Sequence, residues 1–368
     1  MPPSSPEAKI PVSLLGATGL VGREIARRLA DHPWFELGAI AASTGSEGLR
    51  YGEAARGGAD GLPPALADRR LVRCDPNTAM APIVFSALDA TAAREIEPEF
   101  ARAGALVFSN ASAFRMESDV PLLIPEVNPD AVSLLDVQRA ARKWEGGIVC
   151  NPNCVVAIVG LALAPLHQRW GLRAASVTTL QSASGAGYPG VSALDLIGNI
   201  LPTIQGEEEK ITAELGKLLA LPGDTAIGAQ VHRVPVPFGH MASVTLELED
   251  EIGPDEAAEW MREWTGAPEA RGLPALPAHP ILVSGLSDRP QPRLDLWAGD
   301  GMSVTVGRVR RDPVLGLRFV VLGHNLVRGA AGAAVANAEL SVRQQATGNK
   351  QVMSVAWCLL PVACCLLT

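Results

Sequence analysis

The sequence predicts an α/β fold in two parts: a parallel sheet in the first half, then an α+β region built on a mixed sheet. Three observations carry this. Short apolar runs alternate with helix-spaced segments through the first 150 residues, which implies βαβ units. A glycine triplet, Gly16, Gly19 and Gly22, stands where the first run meets the first helical segment. After Asn151 the texture changes to one long apolar helix and to alternating or β-branched strands.

In chain order, Val12–Leu15 reads as the first strand and Arg23–Asp31 as the helix after it. Phe35–Ala41, Pro82–Ser86 and Ala105–Phe108 read as further buried strands, with Ala92–Ala103 as a helix between the last two. Right-handed crossovers then put the glycine loop at the carboxyl edge of the first strand. Val155–His167 is apolar throughout, as a helix opening directly after Cys154. Ser176–Gln181 and Ser243–Glu249 are strands of the second part. Leu273–Pro280 and Arg289–Arg293 are Pro-rich surface connections, and Ala330–Gln344 returns to a helical pattern.

A chain of 368 residues exceeds one small core, and 48% hydrophobic with 19% charged residues is an ordinary globular composition. The net charge of -8 argues against a nucleic-acid partner, which needs a basic stripe, but leaves room for an anionic substrate met by a few converging Arg and Lys. The six cysteines have neither a disulfide framework's regularity nor zinc-ligand spacing, so no metal is expected. The first ten residues do not read as a secretory signal, and a cytoplasmic setting is the expectation. Val352 to Thr368 carries no charge and is interrupted by Pro361, shorter than the roughly 20 residues of a membrane span. The composition leaves open a tail irrelevant to the fold, a packing strand or an anchor, with the anchor the least favoured.

The chemistry concentrates in a few motifs. The run Gly16, Thr18, Gly19, Leu20, Val21 and Gly22 follows a strand and opens a helix, the context of a Rossmann-type dinucleotide-binding domain. Glycines there allow a tight turn, and backbone N–H groups approach a pyrophosphate. The second strand ends at Ser43 and Thr44 with no carboxylate for a ribose 2′-hydroxyl. The hydroxyls and nearby Arg50 favour NADP(H) over NAD(H). Cys154, after Asn151-Pro152-Asn153, stands at a helix N-terminus, where N–H donors would lower a thiol pKa and hold an oxyanion. Gln181 begins a glycine-rich run containing Ser184 and Gly185 that would bring backbone close to a ligand. Glu207 and Lys210 lie one turn apart on a helix, a spacing equally common in solvated faces. Arg233 and His240 share a short extended segment that Pro235 and Pro237 keep out of a central strand. They pair a carboxylate binder with a side chain suited to proton transfer.

Together these segments resemble the aspartate-semialdehyde dehydrogenases, in their archaeal and fungal branch. The resemblance runs from about Val12 to about Arg343. It is carried by GATGLVG at Gly16, SNAS at Ser109 with Arg115 and Met116 following, NPNC at Asn151, LQSASGAGYPG at Leu180, GEEEK at Gly206 and HRVPVPFGH at His232. RPQPRLD at Arg289, GMSVTVGRVR at Gly301 and GHNLVRGAAGAA at Gly323 complete it.

The resemblance implies roles. Cys154 is similar to the nucleophile, His240 to the acid/base and Gln181 to the amide that orients the acyl group. Arg233 is similar to the clamp on the α-carboxylate and Glu207 to the amine contact. Arg115 and Lys210 are similar to the phosphate ligands, Asn153 belongs to the substrate site, and Asn325 lies near the nicotinamide carboxamide. It further implies an NADP-binding part from 1 to 153 completed by a helix at 325–345, a catalytic and dimerisation part at 154–324, and a homodimer or homotetramer. The reaction implied is reductive dephosphorylation of L-aspartyl-4-phosphate through a Cys154 thioester, reversible and phosphate-dependent, in aspartate-family amino-acid biosynthesis (lysine, threonine, methionine).

Four positions depart from the family's habit. Val155 and Val156 stand where Ser or Thr is common, Gly45 where Arg or Lys is usual, and Phe238 where Asp is frequent. The lost hydroxyls motivate an alternative, a related reductase acting on an acyl-CoA or carrier-bound thioester. A non-catalytic nucleotide-binding protein is the third reading, opposed by intact Cys154, Gln181, Arg233 and His240.

Overall fold

Six short strands, most of them buried on both faces, form the first sheet. They are β1 (Ile10–Leu15), β2 (Phe35–Ala42), β3 (Val72–Arg73), β4 (Ile83–Ser86), β5 (Leu106–Ser109) and β6 (Gly147–Cys150). The computed structural model describes residues 8–58 and 61–348. All pairings are parallel and the order is β3-β2-β1-β4-β5-β6, a doubly wound sheet whose strand order reverses at β1. The α/β expectation stands, with two strands added. β3 is too short for periodicity to register, and β6 offers only Ile148 and Val149 between glycines and Cys150.

Helix α1 (Leu20–Ala30) opens on Gly19 with no side-chain cap, and Arg27 and Arg28 in its last turn complement the helix dipole. Helix α2 (Ala90–Arg102) begins two residues before its expected start, because the Asp89 carboxylate accepts the N–H groups of Thr91 and Ala92. Helix α3 (Leu134–Arg142) packs beside β6.

The second sheet is mixed, in the order β10-β11-β12-β9-β7-β8. Its strands are β7 (Leu172–Gln181), β8 (Ala226–Arg233), β9 (His240–Leu248), β10 (Ile281–Ser284), β11 (Val304–Asp312) and β12 (Gly316–Gly323). Helices α4 (Cys154–Trp170), α5 (Glu207–Leu218) and α6 (Pro254–Glu263) belong with it, and α7 (Gly332–Gly348) returns to the first sheet. The apolar α4 is buried from Val155 to Leu166, as a helix without a polar face must be. It joins one continuous core holding Val84 and Val107 of the first sheet and Val177 and Val244 of the second. Each fully buried aliphatic side chain there contributes about 1.5–3 kcal/mol. The 289–293 stretch, expected as a plain connection, turns into a short helix at Pro292–Asp295. The uncharged Val352–Thr368 tail lies outside the described residues.

Candidate active site

The carboxyl ends of β1, β2 and β4 open into a cavity of about 870 Å³. Gly16, Thr18, Gly19, Leu20 and Val21 line it, as do Ser43, Thr44, Ser184, Gly185 and Asn325. Gly16 has φ +72, and a β-carbon there would fall 2.6 Å from the Ala87 carbonyl oxygen, so the turn takes no side chain. Gly22 lies beneath the cavity: its own β-carbon would meet Gly16 O at 2.4 Å, so it serves close packing of helix on strand. An uncapped helix N-terminus beside a glycine turn fits a pyrophosphate. Arg50 is not at this cavity and pairs instead with Asp68 at 3.5 Å. Arg73 and Arg56 do line the cavity; Arg73, within 3.7 Å of Glu47, is register partner of Ala42, one residue before Ser43.

Cys154, half-buried, lies in the cavity wall and begins α4. Its thiol is not acidic. Loss of hydration pushes it up to about 12, helped by the Glu207 carboxylate and opposed by Arg115, Arg233 and the Val155 N–H. The sequence had pointed the other way, toward a lowered thiol pKa. The reason is burial: the sulfur loses more hydration than the Val155 N–H returns, and Asn153 Oδ1 shares the helix donors, accepting from Val155 N at 2.8 Å and Val156 N at 3.4 Å. Asn153 Nδ2 donates to Glu207 at 2.9 Å. Asn153 lines the cavity, with both side-chain polar atoms committed to the protein. Val155 and Val156 are buried in the core and are not among the residues lining the cavity.

Three adjacent strand ends meet behind Gly185. Gln181 ends β7 and is register partner of Arg233, which ends the edge strand β8, while His240 begins β9 on the other side. All three are buried. Arg233 donates to Ser182 O at 2.8 Å. The Ser182 N–H donates to His240 Nδ1 at 3.1 Å. A nitrogen that accepts a backbone N–H carries no proton, so neutral His240 carries its proton on Nε2. Among the described residues that Nε2 is buried without a partner. Burial and the Arg233 charge push the imidazole down to about 3, so it is neutral across the physiological range. A β-carbon on Gly185 would fall 2.7 Å from an Arg233 nitrogen and 2.8 Å from His240 Nε2.

Asn325 ties this cluster to the cavity, accepting from Gly239 N at 2.9 Å and donating to Ser184 Oγ at 3.0 Å. The expected phosphate ligands divide. Arg115 lines the cavity with its Nε buried and unpaired. Lys210, half-buried on α5, makes no ion pair among the described residues.

Several site residues escaped sequence reasoning. Glu214, 2% exposed, accepts from Asn153 N at 2.5 Å and Arg115 at 3.1 Å. Its seven-residue spacing from Glu207 put both on one face of α5, a signal that was legible. Lys217 donates to the carbonyls of Arg115, Glu117 and Val120 at 2.7–2.8 Å. Asn110, Asn151 and Asn337 link the cysteine turn to α7: Asn151 Nδ2 donates to Asn110 Oδ1 at 2.8 Å, and Asn337 Nδ2 to Asn151 Oδ1 at 2.7 Å. Such long-range partners leave no local pattern.

Two family models match the chain. A semialdehyde dehydrogenase NAD-binding domain matches residues 11–135, and a semialdehyde dehydrogenase dimerisation domain matches residues 163–328. An aspartate-semialdehyde dehydrogenase of Archaeoglobus fulgidus is 46% identical over 342 residues, covering 91% of this chain and 98% of the relative. A malonyl CoA reductase (NADP) of Metallosphaera sedula is 39% identical, covering 90% and 96%. Among solved structures, aspartate semialdehyde dehydrogenase with NADP from Candida albicans superposes with a TM-score of 0.82 at 37% identity, covering 90% of this chain and 98% of that one.

Proposed function

The chain belongs to the aspartate-semialdehyde dehydrogenase family, and from that premise we propose that it reduces L-aspartyl-4-phosphate to L-aspartate-4-semialdehyde, releasing phosphate through a thioester on Cys154. The observation that carries this reading is one juxtaposition. A cysteine in the wall of a dinucleotide-type cavity is flanked by Arg115, Arg233 and Glu207, with neutral His240 beside Arg233.

Each residue has work that its chemistry allows. Arg233 and Glu207 suit the α-carboxylate and α-ammonium of an aspartyl group. Arg115 suits the phosphoryl oxygens, with Lys210 as a second cation once substrate is present. The Cys154 sulfur bonds to the acyl carbon as the C–O bond to phosphate breaks, and the thiol proton leaves on the phosphate. A substrate ammonium beside Glu207 offsets the carboxylate charge that adds to burial in holding the thiol proton in place. The nicotinamide cofactor, when bound, supplies the hydride that makes the aldehyde. Gln181 orients the acyl oxygen, and the Nε2–H of His240 hydrogen-bonds to it as negative charge develops there. The C–S bond then breaks as the carbonyl re-forms, releasing the aldehyde, and the departing Cys154 thiolate takes its proton from water.

We assign NADP over NAD. Arg73 stands beside Ser43 and Thr44 at the end of β2, and a guanidinium with two hydroxyls suits a 2′-phosphate. A thiol that must stay reduced suits the cytoplasm. A homodimer or homotetramer is in keeping with the dimerisation-domain match, and sedimentation would count the copies.

An acyl-CoA substrate is the second reading, kept because of the malonyl CoA reductase relative. Val155 and Val156, which motivated it in the sequence, are buried and do not line the cavity. One assay separates the readings: NADP+ reduction with aspartate semialdehyde, with and without inorganic phosphate, beside Cys154→Ser. The expected result is phosphate-dependent turnover that the variant loses. Folded, cofactor-binding protein with no turnover would overturn the reading and direct attention to acyl-CoA substrates.

A further inference from the structure

Helix α5 contributes more to the site than Glu207 and Lys210. Glu214 is buried, and its carboxylate joins two elements distant in sequence. One oxygen accepts the backbone N–H of Asn153, the residue that caps α4 and precedes the nucleophile, at 2.5 Å. The other accepts from the Arg115 guanidinium at 3.1 Å. A second Arg115 nitrogen donates to Asn110 O at 2.7 Å, so the guanidinium is held from two directions while its Nε stays unpaired. One turn further on, the Lys217 ammonium holds the carbonyls of Arg115, Glu117 and Val120. The Arg115 segment is therefore fastened to α5 at both its side chain and its backbone.

We propose that Glu214 is a positioning residue for the reaction: through one buried carboxylate it sets the anion-binding face of Arg115 at a fixed distance from Cys154. This inference rests on the proposed function, in which Arg115 meets phosphate. A carboxylate shared between a guanidinium and a backbone N–H is short, charge-assisted and directional on both sides. Without it Arg115 keeps its charge and loses its aim. The consequence is selective, because Arg233 and Gln181 are positioned by β7 and β8 and do not depend on Glu214.

The test is Glu214→Gln in the full-length protein, followed in the oxidative direction. The amide still accepts the Asn153 N–H but turns an NH2 toward Arg115. Half-saturating inorganic phosphate should rise roughly tenfold or more, as loss of a hydrogen bond to a charged group implies, while half-saturating semialdehyde and NADP+ stay within about twofold. Phosphate and semialdehyde constants that move together, or neither moving, would overturn the proposal. If the Gln variant does not fold, Glu214→Asp decides: it keeps the charge and shortens the reach, so unchanged phosphate saturation refutes positioning. If neither folds, Glu214 is a strut and the proposal is wrong. If the wild type shows no phosphate-dependent turnover, the functional reading fails separately, and Glu214 is judged on protection of Cys154 from iodoacetamide by inorganic phosphate. The Gln variant should then need roughly tenfold more phosphate for equal protection. Equal protection in both proteins, or none in the wild type, overturns the proposal.

Discussion

Gly329 presses against Cys154 so closely that a β-carbon on the glycine would fall 2.7 Å from the cysteine Cβ and 2.9 Å from its Cα. Gly329 belongs to a turn of π-helix, Val327–Ala331, that leads into α7. Helix geometry of this kind recurs at functional sites. Gly329→Ala should push the first turn of α4 away from the cavity, costing about 1–3 kcal/mol of stability. Turnover should fall about a hundredfold, as a displaced reacting atom implies. Wild-type kcat in the folded variant would show that the packing does not position the sulfur.

The thiol profile tests the electrostatics of the pocket. With Cys154 pushed up to about 12, iodoacetamide alkylation of the ligand-free protein should climb steadily through neutral pH without a plateau. Glu207 raises the thiol, so Glu207→Gln lowers it, and alkylation at fixed pH becomes several-fold faster while turnover of the amino substrate drops. A profile that levels off near pH 7, or one that Glu207→Gln leaves in place, would contradict this account.

Two arginines near the second strand should part company. Arg73→Ala is expected to raise the NADP+ half-saturation roughly 10- to 100-fold, the scale of a charge-assisted phosphate contact, with little change for NAD+. Arg50→Ala should change neither, because Arg50 faces Asp68. Equal losses with both cofactors in the Arg73 variant would mean that this side chain does not read the 2′-phosphate.

Glu97 of α2 is buried, bonded to Ser109 Oγ at 2.7 Å, and desolvation pushes its carboxyl up to about 7 from 4.5. A raised carboxyl pKa means that the folded state holds the proton more tightly. Its stabilisation is present below about pH 4.5 and is lost as pH rises through about 7. Over that window the group should cost the fold roughly 3 kcal/mol. Glu97→Gln should flatten this part of the denaturation-versus-pH curve. An unchanged curve would mean that Glu97 is ionised in the native protein at low cost.

Arg328 and Glu126 form a bidentate pair, at 2.7 and 3.0 Å, with both side chains nearly inaccessible. Arg328→Met leaves a buried carboxylate unpaired and should cost about 3–5 kcal/mol. The double variant with Glu126→Gln should recover part of the loss, read as urea midpoints. No recovery would place the cost in packing instead of charge.

The parts of the fold legible in the sequence are those set by local pattern. The first sheet announces itself through buried runs such as Phe35–Ala41, and α4 through an unbroken apolar stretch. The ends of elements were less legible. The Asp89 cap lengthened α2, and β3, with two residues, lies below any periodicity. Arg50 is the arginine that lies near Thr44 along the chain. The pairing of β2 with β3 brings Arg73, which sequence reasoning did not single out, to the end of β2 in space.

The sequence by itself determined the chemical inventory: a glycine turn for a dinucleotide, a cysteine at a helix start, and an arginine and a histidine on one proline-bounded segment. Only the tertiary structure decided the electrical state of that inventory. The Cys154 thiol is neutral because burial strips its hydration and Glu207 lies near the sulfur. His240 is a donor at Nε2 because Ser182 occupies Nδ1. Hydration and electric field depend on distance through space, and residues as far apart as Asn153, Glu207 and Arg233 become neighbours only once the chain has folded.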